Sequence, residues 1–211
     1  MPTLWEILTG KVKKEVPPEL QIYNPLGLLI GNSINIDTLD TEKLGFTLDS
    51  LREVKRTVEN TVLKFADYLL VAKPYNADTV VCRLRLVPLA DEAGISHKAL
   101  LLKKLGDCLY DKDFHEGLAY ERNQGEWTEG EATYWRVDDV KSEWNAEVSN
   151  VVGRGKQRSN AKLTYWDFWR ETQDEGGNTV LEFYFVEMDA ESGYFEFWLG
   201  KEIDPSRVAV L

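Results

Sequence analysis

The stretch AKLTYWDFWRETQDEGGNTVLEFYFVEMDAESGYFEFWLGKEI, residues Ala161–Ile203, decides the fold. Three segments in it, Tyr165–Glu171, Thr179–Met188 and Tyr194–Leu199, are dense in aromatic and β-branched residues, which suit a pleated, half-buried surface. Between them, QDEGGN and DAESG place Gly176, Gly177 and Gly193 where hairpin turns need a positive φ. Within Thr179–Met188 both alternating faces are bulky. Leu181, Phe183 and Phe185 lie on one, and Val180, Tyr184, Val186 and Met188 on the other. A strand covered on both faces is central in a sheet or part of a barrel wall. The stretch predicts an antiparallel meander.

Working outward, the same pattern stands a hundred positions earlier by residue number. Phe65-Ala66-Asp67-Tyr68-Leu69 aligns with Tyr165-Trp166-Asp167-Phe168-Trp169, and the turn before Thr79-Val80 aligns with the turn before Thr179-Val180. Phe46–Val54 resembles Tyr134–Lys141 upstream. Two copies of one β unit are expected. The fold class that follows is mainly β: two similar antiparallel meander units forming barrel-like or sandwich-like sheets, with one or two short helices. Residues 19–122 form the first unit with a helical extension and 131–211 the second, either as separate domains or as one compact domain. Residues 1–18 carry an amphipathic segment, with Leu4, Ile7, Leu8 and Val12 near helical spacing and Trp5 and three lysines beside them. Glu19–Pro25 reads as a linker and Asn123–Gly130 as a connector between units. In Ser96–Glu121, Leu100, Leu101, Leu102, Leu105 and Leu109 suit a helix, while a strand followed by a helix fits equally.

Composition excludes several classes. With 43% hydrophobic residues and seven Trp, the chain can build a core and is not globally disordered. No apolar run approaches a membrane span, and the N-terminus lacks the order of a secretory signal. Cys82 and Cys108, the two cysteines, read as reduced thiols in a cytosol. The net charge of −11 is uneven: residues 1–105 hold 14 Lys+Arg against 13 Asp+Glu, or +1, and residues 106–211 hold 11 against 23, or −12. Such a surface repels phosphate backbones, so no nucleic-acid partner is expected.

Motifs for chemistry are sparse. The two histidines, His97 and His115, are eighteen apart, and no cysteine pair has ligand spacing, so no metal and no cofactor is expected. Cys108 near His115 is the one local pair for nucleophilic catalysis, and no oxyanion-forming loop accompanies it. A carboxylate-dependent hydrolase would need two acids facing each other across a cleft, and the sequence fixes no such separation. Asp67 and Asp167, each mid-strand between aromatics, must find partners or face solvent, and a structural hydrogen-bonding role is expected for both. Tyr165 with Trp169, and Tyr194 with Trp198, share strand faces and are candidate ligand-binding residues for a sugar or a polyamine.

Five segments carry a resemblance: NPLGLLIGNSINIDTL (Asn24–Leu39), FADYLL, RLRLVP, YWDFW and FEFWLGKEI. Through them the chain resembles a group of uncharacterised bacterial β-rich domains of unknown function found near phage-shock-type membrane-stress genes. The resemblance implies a cytoplasmic bacterial protein that works with a protein partner, and it lends no catalytic residues. It favours a non-enzymatic interaction or accessory module tied to a membrane-stress assembly. Segregated charge would steer the encounter, and residues 1–16 would provide an apolar contact peripheral to the membrane. The alternative is a small-ligand binding protein using the aromatic cleft.

Overall fold

The computed structural model describes residues 16–36, 45–58, 61–73, 78–91, 94–119, 126–129, 132–136, 144–153, 157–174 and 176–210. In chain order the elements are β1 (Ser33–Ile36), β2 (Gly45–Val58), β3 (Thr61–Ala72), β4 (Val80–Asp91), β5 (Gly94–Cys108), α1 (Lys112–Ala119), β6 (Glu126–Glu129), β7 (Ala132–Arg136), β8 (Trp144–Val152), β9 (Gln157–Gln173), β10 (Thr179–Asp189), β11 (Phe195–Ile203) and β12 (Val208–Val210). Strands β2-β3-β4-β5-β11-β10-β9-β8 are successive antiparallel neighbours, and β8 returns to pair with β2. The chain is thus a closed eight-stranded antiparallel barrel with extra strands. Closure removes the open edges that an eight-strand sheet would otherwise leave.

The long strands serve two neighbours in turn. β2 pairs with β1 at its start and with β8 further on, past a bulge at Asp49. β9 pairs with β8 over its first half and meets the β6–β7 hairpin near Phe168 and Trp169. A second bulge leaves Leu105 of β5 unpaired with β11 and exposed. Such insertions bend strands and help a sheet to close.

Both faces of the wall are buried, which is why its strands read as bulky on both parities. Outside the first four strands, Tyr68, Leu70, Leu84, Leu86, Phe46 and Leu48 pack beneath Ile22, Leu28 and Ile34. Outside the last strands, Trp166, Phe168, Tyr184 and Val186 pack with Leu118 of α1 and Tyr134 of β7. The residues of opposite parity fill the lumen, among them Val54, Phe65, Leu100, Leu102, Tyr165, Phe185 and Trp198.

The two meanders occupy matching places in the barrel order. Asp67 faces Arg85 across β3–β4 and Asp167 faces Phe185 across β9–β10, with every residue number differing by 100. β2 runs antiparallel to β8 and β5 to β11, so each hairpin turn of one unit lies at the end opposite its counterpart in the other.

Of the two alternatives for Ser96–Glu121, a strand followed by a helix is found: Leu100–Leu105 lies in strand β5, and among the described residues the helix of this region is α1, Lys112–Ala119. The unbroken leucine run imitates a helix because Leu100 and Leu102 face the lumen while Leu101 packs on the outer cluster. One expectation is corrected. Glu19–Pro25 is a packed cover, not a linker. Pro18–Leu20 forms a 3-10 turn, Glu19 is buried, and Asn24 bonds the Glu19 and Leu28 carbonyls and the Tyr68 hydroxyl. Residues 1–15, with the expected amphipathic segment, and residues 123–125 and 130 of the expected connector lie outside the described residues, while Glu126–Glu129 within that connector forms β6. Among the described residues no helix is long and apolar enough to cross a membrane.

Candidate functional site

Alternation along β3 and β4 turns Asp67, Arg83 and Arg85 toward the lumen, where a charge has to find a partner. Asp67 accepts from Arg85 through both oxygens, at 2.8 Å from Nε and 3.0 Å from Nη2. Glu187 of β10 accepts from Arg83, from Arg85 at 3.0 Å and from Arg52 of β2 at 3.3 Å. Arg83 also reaches Glu196 of β11 at 3.4 Å, and Lys104 reaches Glu196 at 3.0 Å. The arginine planes are stacked as well: Arg83 lies 3.8 Å from the Trp198 ring centroid, and Arg85 lies 4.8 Å from both Phe65 and Phe185. Burial alone would push the Asp67 carboxyl up, but Arg85 and Arg83 outweigh it and hold the group below its usual range. Burial favours a neutral Arg85, and Asp67 and Glu187 reverse that. This band of three arginines and three carboxylates plugs the middle of the barrel.

Above the band, at the end carrying the β2–β3 and β4–β5 turns, lies a cavity of about 240 Å³. Phe65, Val87, Leu100, Trp144, Phe183 and Phe185 form its walls, and Arg85 lies at its floor. Pro88, Arg56, Lys64, Lys98 and Asp167 complete the lining with Leu63. The opening has a local cause. β9 and β10 stay paired through Glu187–Tyr165 to Asp189–Leu163, but the matching ladder between β3 and β4 stops at Ala66–Leu86. Pro88 follows two residues later and has no N–H to donate to a ladder. β4 stays paired with β5 to Asp91–Gly94, so β3 parts from it and the wall opens beside the pocket.

Asp167 sits in this lining under conditions unlike those of Asp67. Its cross-strand neighbour is Phe185, where Asp67 has an arginine. Its Oδ2 accepts from Trp144 Nε1 at 2.6 Å and lies 3.9 Å from Arg56 Nη1. Its Oδ1 is buried with no hydrogen-bond partner among the described residues. Burial therefore dominates, and although Arg85, the Trp144 hydrogen bond and Arg56 oppose it, the carboxyl is pushed up to about 6. Trp144 itself is held flat between Tyr165, stacked at 4.3 Å, and the Arg56 guanidinium at 4.5 Å.

The four aromatic candidates do not line this pocket. Tyr165 and Trp198 are in the lumen, 0% and 1% exposed, against the arginine band. Trp169 is half-buried further along β9, opposite Trp135. Tyr194 is 37% exposed in the β10–β11 turn and donates to Asp107 from the far end of β5. Of the two expected structural carboxylates, Asp67 is locked into ion pairs and Asp167 is a pocket wall. Cys108 and His115 are not bonded to each other; His115 Nδ1 lies 3.2 Å from the Tyr110 hydroxyl. Among the described residues no group of three or more potential ligands is placed to hold a metal.

Arg56, Arg85, Trp144, Phe183 and Phe185 do not read as site residues from the sequence, where Phe183 and Phe185 mark only a strand face. A usable signal was present in RLRLVP. Two arginines alternating with leucines in a strand between apolar neighbours must put charge on one buried face. No protein family, curated protein or solved structure matches the chain.

Proposed function

We propose that the chain is a small-molecule binding barrel whose site is the cavity at the mouth beside Pro88. The observation that carries this reading is the cavity itself: a concave, mainly apolar space with a closed floor, a few polar groups at its edge and a broken strand ladder as its entrance. Ligand sites in barrels take this form. The earlier candidates of a sugar and a polyamine gain little support here. A sugar needs more hydrogen-bonding groups than these walls offer, and a polyamine would meet Arg56, Lys64 and Lys98. Thermal-shift screening of compact aromatic compounds tests the reading, because a ligand bound only by the folded chain raises its melting temperature. Saturable stabilisation that Phe183→Ala reduces supports it; no stabilisation by any compound at millimolar concentration contradicts it.

A second reading, the accessory module near a membrane, draws support from the same end of the barrel. Val62, Leu63 and Leu89 are 52%, 46% and 46% exposed there, beside Lys64. Apolar tips among cations suit an anionic lipid surface. Co-sedimentation with anionic vesicles that fails for Val62→Ser/Leu63→Ser supports this reading; absence of sedimentation contradicts it. The matching register of the two meanders further supports descent of both from one duplicated β unit.

A further inference from the structure

Building on the pocket reading, we propose that the ligand is a compact aromatic or alicyclic carboxylate, held with its ring against Phe65, Trp144, Phe183 and Phe185 and its anion at Arg56, Lys64 and Lys98. Size comes first. The band of Asp67, Arg85, Glu187 and Arg83 closes the lumen directly beneath the cavity, so a long acyl chain has nowhere to run. A volume of about 240 Å³ suits one or two fused rings. Shape follows from the walls: flat rings at the pocket surface favour a flat ligand, which gains offset or edge contacts with them.

Charge is decided by the rim. Arg56, Lys64, Arg85 and Lys98 line the pocket against a single acid, Asp167, in a chain whose net charge is −11. Arg85 is already neutralised by Asp67, Lys98 bridges Glu202 at 2.6 Å, and Arg56 lies 3.9 Å from Asp167. Lys64 has no acidic partner among the described residues. Lys98 also lies 5.4 Å from the Phe183 ring, so its charge stands at the edge of the apolar wall. An anion attached to a ring in the pocket would reach these groups without entering the lumen. A cation there would face their repulsion, and a neutral ligand would gain nothing from them. Exposed and half-buried cations of this kind contribute modestly and are screened by salt, so they select among ligands of equal size.

The experiment is calorimetric titration of the full chain at low salt and pH 7 with three matched probes: naphthoate, naphthamide and naphthylmethylammonium. The expected order is naphthoate first, by about tenfold over the amide, with the ammonium weakest. In Lys64→Gln/Lys98→Gln, two substitutions at the pocket rim, naphthoate loses most of its advantage over the amide, and Arg56 keeps the remainder. Equal or tighter binding of the amide or the ammonium overturns the charge assignment and leaves the pocket reading standing. So does a naphthoate affinity that the double variant leaves untouched. Failure of all three probes to bind overturns the pocket reading and the charge assignment together.

Discussion

Asp67 and Asp167 are the same residue type in the same strand context, and their neighbours send them to opposite fates. Asp67 faces Arg85 and gains stability from its charge; Asp167 faces Phe185 and loses stability from it. The groups around Asp167 are Arg56 from β2, Arg85 from β4, Glu187 from β10 and the Trp144 indole from β8. A carboxyl raised to about 6 from 3.8 binds its proton more tightly folded than unfolded. Its ionisation destabilises the fold above pH 6, and the penalty fades as pH falls toward the unfolded value. Asp167→Asn, which can still accept from Trp144, is expected to stabilise the chain by about 2–3 kcal/mol at pH 7 and by almost nothing at pH 4. Urea denaturation at the two pH values measures this; equal effects at both would refute it. For Asp67 the sign reverses: its contribution is present above the unfolded value and is lost as pH falls through the lower folded one. Arg85→Met, which takes both hydrogen bonds from Asp67 and leaves it Arg83 at 3.6 Å, is expected to cost about 3–5 kcal/mol, and Asp67→Asn/Arg85→Met to cost less than the two single changes together. Additive losses in that cycle would show that the pair is not coupled. Only the aromatic–x–Asp pattern at these positions was legible in the sequence. Which Asp meets an arginine depends on the residue opposite, and that is set by register.

At the scale of elements, most strands were legible because aromatic and β-branched runs and glycine turns mark them locally. β5 read equally as strand or helix, since a wall strand with apolar residues on both faces loses the alternation that distinguishes it from a helix. The parting of β3 and β4 was hidden, although Pro88 was in view; a proline forbids one hydrogen bond but does not say which neighbour loses it. β11 shows the opposite demand, for close approach. A Cβ on Gly200 would stand 2.8 Å from the Leu102 backbone and closer still to the Leu102 side chain and the Leu101 carbonyl. Gly200→Ala is expected to cost about 1–3 kcal/mol by forcing β11 from β5, read as a lowered urea midpoint with an unchanged slope. A variant as stable as the parent would show that the two strands have room to spare.

For the whole molecule, the sequence supported a mainly β fold of two meanders, barrel-like or sandwich-like, and did not choose between the two. Closure depends on β2 meeting β8 and β5 meeting β11, pairings between residues about a hundred positions apart that no local pattern announces. The candidate pocket was illegible for the same reason, because its walls come from β2, β3, β4, β5, β8, β9 and β10. The charge layout also changes meaning once folded. The acidic second half is one part of a barrel whose pocket rim is cationic, and each part of that charge acts at its own place. The central claim is that this mouth holds a ligand. Its most direct test is amide and side-chain NMR of the chain titrated with naphthoate. The account predicts saturable shifts at Phe65, Val87, Lys98, Leu100, Trp144 and Phe183, with Tyr194 and Asp107 at the far end unmoved. Shifts that are absent, or that centre on Tyr194 and leave the mouth unmoved, would contradict it.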